Sequence, residues 1–149
     1  MKKVSIGSDH AGFPLKEEIR LHLISEGYEV IDEGTYSLDS VDYPVYAQKV
    51  AEDILNKKAD LGVLVCGTGE GISIAANKIN GIRCGIGYNV DVSKLLREHN
   101  NANAIAFGGR FMSKEEVFPR VDAFLTTDFL GGRHQRRIDE MDVIEKEQK

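Results

Sequence analysis

A chain of 149 residues with 42% hydrophobic side chains is long enough to bury one core without disulfide or metal staples. Its formal net charge of −5 excludes a general nucleic-acid or membrane-surface binder, so any anion site must be a local cluster of positive groups. MKKVSIGSDHAG at the N-terminus lacks a signal-peptide core, and no apolar run approaches the ~18 residues of a membrane span. With Cys66 and Cys84 both in apolar, strand-like contexts outside any CxxC pair, a reduced, cytoplasmic protein is expected.

The pattern alternates β-like and helical runs, the signature of an α/β fold. KVSIGS reads as a first strand. Pro14 suits a first helical turn, Leu15, Ile19 and Leu23 follow at helical spacing, and Gly27 stops that helix. YEVIDEG is a second strand, and YPVYAQKVAEDILNKK a helix with Val45, Val50 and Ile54 inward. DLGVLVC is nearly continuous in apolar residues, as a central parallel strand buried on both faces requires. GISIAANKI is a helix, IRCGIGY a fourth strand, DVSKLLREHN a helix and NAIAFGG a fifth strand. SKEEVFPRVDAFL is a helix with a Ser113–Glu116 capping box, and Pro119 inside it is a candidate kink. From about Arg133 a charged C-terminal helix is expected.

Polar residues gather where strands end: Asp9-His10, Cys66 to Gly71, Tyr88-Asn89 and Gly109-Arg110. Ligands of open α/β sheets bind outside the carboxyl ends of strands, so this order points to one cleft. The loop CGTGEGIS does not fit the familiar phosphate motifs. A dinucleotide fingerprint needs glycine where Ile72 stands and an acid at the end of the next strand, which is Gly87-Tyr88. No Gly-Lys-Ser/Thr follows for a P-loop, and no arginine closes the loop for a thiol phosphatase. His10, His22, His99 and His134 lack zinc-site spacing, and His22, with no acidic or cysteine partner evident, reads as structural.

What remains is a turn presenting backbone N–H groups at a helix N-terminus, able to hold a phosphate or a developing oxyanion. Cys66 stays open between a small buried apolar residue and a base or nucleophile favoured by that N-terminus. Cys84, mid-strand, reads as core. GGRHQRR puts Arg133 and Arg137 on one helix face with His134 beside them, a cationic patch suited to a phosphate monoester, or else a solvated helix. His99 and Asn100 stand between a helix and a strand, where a ligand group and a helix-terminal cation are equally natural.

GSDHAG, DYP, CGTGEGISIAANK, GIR, REHNNANAIAFGGR and GGRHQRR occur in this order over nearly the whole chain. Together they closely resemble the type B ribose-5-phosphate isomerase family, which includes related hexose-6-phosphate isomerases. The resemblance implies one sugar-phosphate isomerase domain over residues 1–149, folded as a Rossmann-like three-layer α/β/α sandwich with a five-stranded parallel sheet. It implies a cofactor- and metal-independent aldose–ketose isomerase working through an enediolate, as a homodimer or tetramer with sites shared between subunits. Residue by residue, Cys66 matches the base that moves the proton between C1 and C2, and Thr68 the hydroxyl that moves protons on the sugar oxygens. Gly67, Gly69, Glu70 and Gly71 fall in the amide loop at the enediolate, with the Glu70 side chain expected to face solvent. His99, from a second subunit, matches the ring-opening group, and Asp9 lies on the sugar. His10, Arg133 and Arg137 match the phosphate end with His134 close by, and Tyr43, Asn100 and Arg110 line the site. A branch without the cysteine carries a glutamate where this chain has Ile72, which puts the chain in the cysteine branch.

Three functions are weighed on these residues: a ribose 5-phosphate isomerase, an isomerase of allose or galactose 6-phosphate, and a non-catalytic sugar-phosphate sensor. A pure sensor has no use for Cys66, Thr68 and His99 together, and one chain carrying all the parts favours a homo-oligomer over a pair of unlike subunits.

Overall fold

The computed structural model describes residues 2–148. Eleven elements alternate along the chain: β1 (Lys3–Ser8), α1 (Phe13–Ser25), β2 (Glu29–Asp32), α2 (Tyr43–Leu55), β3 (Leu61–Cys66), α3 (Glu70–Asn77), β4 (Cys84–Ile86), α4 (Val90–Glu98), β5 (Ala104–Gly108), α5 (Lys114–Thr126) and α6 (Arg133–Glu147). The five strands form one sheet in the order β2-β1-β3-β5-β4, and every pairing is parallel.

Period-two alternation in the strands sorts side chains into two cores. Val4, Ile6, Val63, Val65, Ile105 and Phe107 meet Leu15, Ile19 and Leu23 of α1 and Val117, Val121 and Phe124 of α5 on one face. Leu64, Cys66, Ala104 and Ala106 meet Ala47, Val50 and Ala51 of α2 and Ile72 and Ala76 of α3 on the other. The expected three-layer α/β/α sandwich is therefore present, with its α5 capping box: the Ser113 N–H donates to Glu116 Oε1 at 3.0 Å and the Glu116 N–H to Ser113 Oγ at 3.3 Å. α5 runs unbroken across Pro119, and α6 starts at the expected Arg133.

Three expectations change. β2 and β4 are shorter than their apolar runs, covering Glu29–Asp32 and Cys84–Ile86, because each is a sheet edge with a single pairing partner. Val45 is not inward; it is 48% exposed. The buried stripe of α2 passes through Ala47, Val50 and Ala51, and a residue two positions before Ala47 lies about 200° round the helix. His22 does have acidic partners: its Nε2 lies 2.9 Å from both Glu26 Oε1 and Asp122 Oδ1, and its ring stacks on Phe118 at 4.0 Å. Glu26 is one helical turn on, and Asp122 comes from α5, a contact that no local pattern displays. These three are the one group of potential metal donors that converges among the described residues, on the α1–α5 seam.

Candidate active site

The sheet changes direction at β1 and β3: β1 leads outward to β2, while β3 lies on its other side. A crevice opens at the carboxyl ends of such a strand pair. Here it is a cleft of about 820 Å³, lined among others by Asp9, His10, Tyr43, Cys66, Gly67, Thr68, Gly71 and Arg110.

Cys66 is the last residue of β3 and is 4% exposed, at the floor of the cleft. The Gly69 N–H donates to its Sγ at 3.2 Å. Gly69 holds φ +84, a left-handed conformation that aims this N–H and starts α3 one residue later. Thr68 is exposed, and its Oγ1 accepts the Glu70 N–H at 3.1 Å. The exposed Glu70 agrees with the expectation that its carboxylate faces solvent. Gly71 leaves room for the Tyr43 ring: a Cβ there would lie 2.7 Å from Tyr43 Cζ. Asp9 is 6% exposed, and its Oδ1 accepts the Gly12 N–H at 2.9 Å, which fixes the carboxylate at the end of β1.

The remaining candidates gather elsewhere on the protomer. The His99 and His134 rings stack at 4.2 Å and 14°, joining the end of α4 to the start of α6. The Leu130 N–H donates to the Glu98 carbonyl at 3.1 Å and ties the loop before α6 to α4. His134 is pushed below the ordinary imidazole range by partial desolvation first, then by His99, Arg133 and Arg137, with Glu98 opposing. Asn100 lines a separate groove of about 400 Å³ beside α6. Neither His99, Asn100, Arg133, His134 nor Arg137 lines the cleft that holds Cys66. One chain therefore carries two separate clusters, a thiol-and-amide cleft and a cationic His/Arg cluster.

Sequence reasoning missed the loop of residues 33–42, which contributes Ser40, Val41 and Asp42 to the cleft. Its position after a strand was a signal; its fold over the neighbouring strand's end was not. Cys84, half-buried at the start of β4, reads as structural, since burial pushes its thiol up to about 12 against a hydrogen bond with Ser73.

A family model described as Ribose/Galactose Isomerase matches residues 4–141. The chain is 47% identical over 146 residues to ribose-5-phosphate isomerase B of Escherichia coli K12, covering 98% of both. A crystal structure of a Thermotoga maritima ribose 5-phosphate isomerase superposes with a TM-score of 0.94 at 51% identity, covering 95% of this chain and 98% of that one. A ribose-5-phosphate isomerase B of Mycoplasma genitalium with bound ribulose-5-phosphate superposes with a TM-score of 0.92 at 41% identity, covering 98% and 97%.

Proposed function

The chain belongs to the ribose/galactose isomerase family, and we propose that it interconverts D-ribose 5-phosphate and D-ribulose 5-phosphate through an enediolate. The observation that carries this reading is the Cys66 thiol on the cleft floor, taking the Gly69 N–H at the start of α3.

A proton alpha to a carbonyl is weakly acidic, so its removal needs a placed base and donors for the developing oxyanion. Cys66 as thiolate takes the C2 proton of the open-chain aldose. The C–H electrons form the C1=C2 bond, and negative charge moves to O1 beside the Gly67–Gly71 amides. The Thr68 hydroxyl passes the O2 proton toward O1, and Cys66 returns its proton to C1, leaving the ketone at C2. Asp9 holds the sugar. Tyr43 and Arg110 line this cleft.

The second cluster supplies the rest. His99 opens the furanose ring, while Arg133 and Arg137, with His134 near and His10 opposite, hold the phosphate. Because His99, Asn100, Arg133, His134 and Arg137 lie apart from Cys66 and His10 within a protomer, we assign them to the cleft of a second copy in a homodimer, or a tetramer built from such dimers. The amide donors and the thiol make the step independent of a metal or cofactor. No helix among the described residues is long and apolar enough to cross a membrane, and both cysteines are free, which fits a cytoplasmic enzyme.

The open shape of the cleft supports a second reading, a 6-phosphate hexose such as allose 6-phosphate, one hydroxymethylene longer. The deciding experiment compares kcat/KM for ribose 5-phosphate and allose 6-phosphate, with and without EDTA. A preference for the pentose that is unchanged by EDTA is expected. A preference for the hexose would transfer the assignment to it, and loss of activity in EDTA restored by a divalent ion would sink the metal-free step.

A further inference from the structure

Lys16 has no part in the chemistry above, yet it is fully buried. It sits in the first turn of α1, where a cation opposes the helix dipole, and a charge is kept in such a place only with partners. Two of its partners, Asp32 and Tyr36, lead toward the loop of residues 33–42. The Lys16 Nζ is 2.7 Å from Asp32 Oδ1 and 3.1 Å from Glu17 Oε2, and it lies 5.4 Å from the centres of both the Phe13 and Tyr36 rings. Asp32 Oδ1 also accepts the Gly34 N–H at 3.0 Å, and the Tyr36 hydroxyl donates to the Asp32 carbonyl at 2.7 Å. The same loop is laced to the end of β1: the Ser8 N–H donates to the Gly34 carbonyl at 2.7 Å, and the Thr35 N–H to the Ser8 carbonyl at 2.9 Å. Farther on, the Val41 N–H donates to His10 Nδ1 at 3.1 Å.

That last bond has a chemical consequence. A backbone N–H can only donate, so Nδ1 accepts, and neutral His10 carries its proton on Nε2. The ring then offers the cleft one N–H donor, the right polarity for a phosphate oxygen.

We propose that Lys16 is the positioning residue of this site: through Asp32 and Tyr36 it holds the loop of residues 33–42 on the cleft, and the Val41 amide thereby keeps His10 as the Nε2–H tautomer. Lys16 does not touch substrate; it acts through the loop. Only the kinetic consequence rests on the isomerase reading, because the tautomer can be observed without any substrate.

The test is long-range 1H–15N NMR of the histidine rings in the full chain, beside steady-state kinetics with ribose 5-phosphate. The wild-type His10 is expected to show an unprotonated Nδ1. Lys16→Met, which keeps the length and removes the charge, is expected to mix the two tautomers at His10. It should raise KM about tenfold, the worth of roughly one hydrogen bond to substrate, and leave kcat within about twofold. Tyr36→Phe removes only an exposed hydroxyl bond and should shift the same readouts in the same direction by less. An unchanged His10 signal in folded Lys16→Met would overturn the proposal, as would a fall in kcat at constant KM. If Lys16→Met does not fold, Tyr36→Phe decides, and wild-type values of both readouts there refute the proposal. A wild-type enzyme inactive on ribose 5-phosphate but with the expected tautomer response would refute the isomerase reading and leave the positioning role standing.

Discussion

Cys66 and Cys84 both stand in apolar, strand-like sequence, with Cys66 open between core and function and Cys84 read as core, and the fold separates them. Cys66 closes β3 at the carboxyl end of the sheet, with a backbone donor on its sulfur and the cleft above it. Cys84 opens β4 at the amino end, and burial pushes its thiol up to about 12. At pH 8 the thiolate fraction at Cys84 is then about one part in 10⁴, and only the thiolate reacts with an alkylating agent. Iodoacetamide followed by peptide mass mapping should therefore modify Cys66 first, and ribose 5-phosphate should slow that modification. Faster labelling of Cys84, or no protection by the sugar phosphate, would contradict the placement of Cys66 at the substrate.

Elements carry a pH response of their own. Glu33, just past β2, has its carboxyl raised to about 7 by a hydrogen bond with Asp53 of α2, then by burial and the Asp53 charge, while Lys49 and Lys58 oppose. The folded protein thus keeps a proton that the unfolded chain releases near the ordinary glutamate value of about 4.3. Between those two values the native state binds more protons, so stability falls as pH rises from about 4.5 to about 7 and is level above. Glu33→Gln keeps a donor toward Asp53 without the ionisation. Denaturant titrations between pH 4.5 and 8 should show a flatter pH dependence for the variant and a stability above wild type at pH 8. Equal slopes for the two proteins would refute the shared proton.

Strong local signals made most elements legible: continuous apolar runs gave the central strands, and the Ser113 box gave the start of α5. Val45 was misread because an apolar residue beside a helical stripe looks like part of it until the stripe's face is known. Glu26, four residues after His22, was readable, whereas the Asp122 partner of His22 and the Asp32 partner of Lys16 were invisible for a different reason. Asp122 and Asp32 are brought to them by the packing of α5 and the pairing of β2, and no spacing within a segment records either. The thiol cleft was readable because its parts are contiguous from Cys66 to Gly71. The loop of residues 33–42 was not, because its link to His10 is a backbone amide, which every sequence has.

On the scale of the whole molecule, the separation of the two clusters is the decisive feature. The cleft has the Cys66 thiol, the Thr68 hydroxyl and the Gly67–Gly71 turn but lacks the His99–His134 pair and the arginines of α6, which lie apart on the same chain. In the proposed homodimer, a twofold axis supplies each cleft with the other copy's cluster. Mixing Cys66→Ala protein with His99→Ala protein under subunit exchange, then assaying ribose 5-phosphate isomerisation, tests this directly. Each variant alone should be depressed by the loss of an acid–base group, about 10²- to 10⁴-fold for Cys66→Ala. In a mixed dimer one site carries both lesions and the other carries neither, so an equal mixture should recover about a quarter of wild-type activity. A mixture no more active than the mean of the two separate variants would place Cys66 and His99 in one chain's site and contradict the shared-site isomerase.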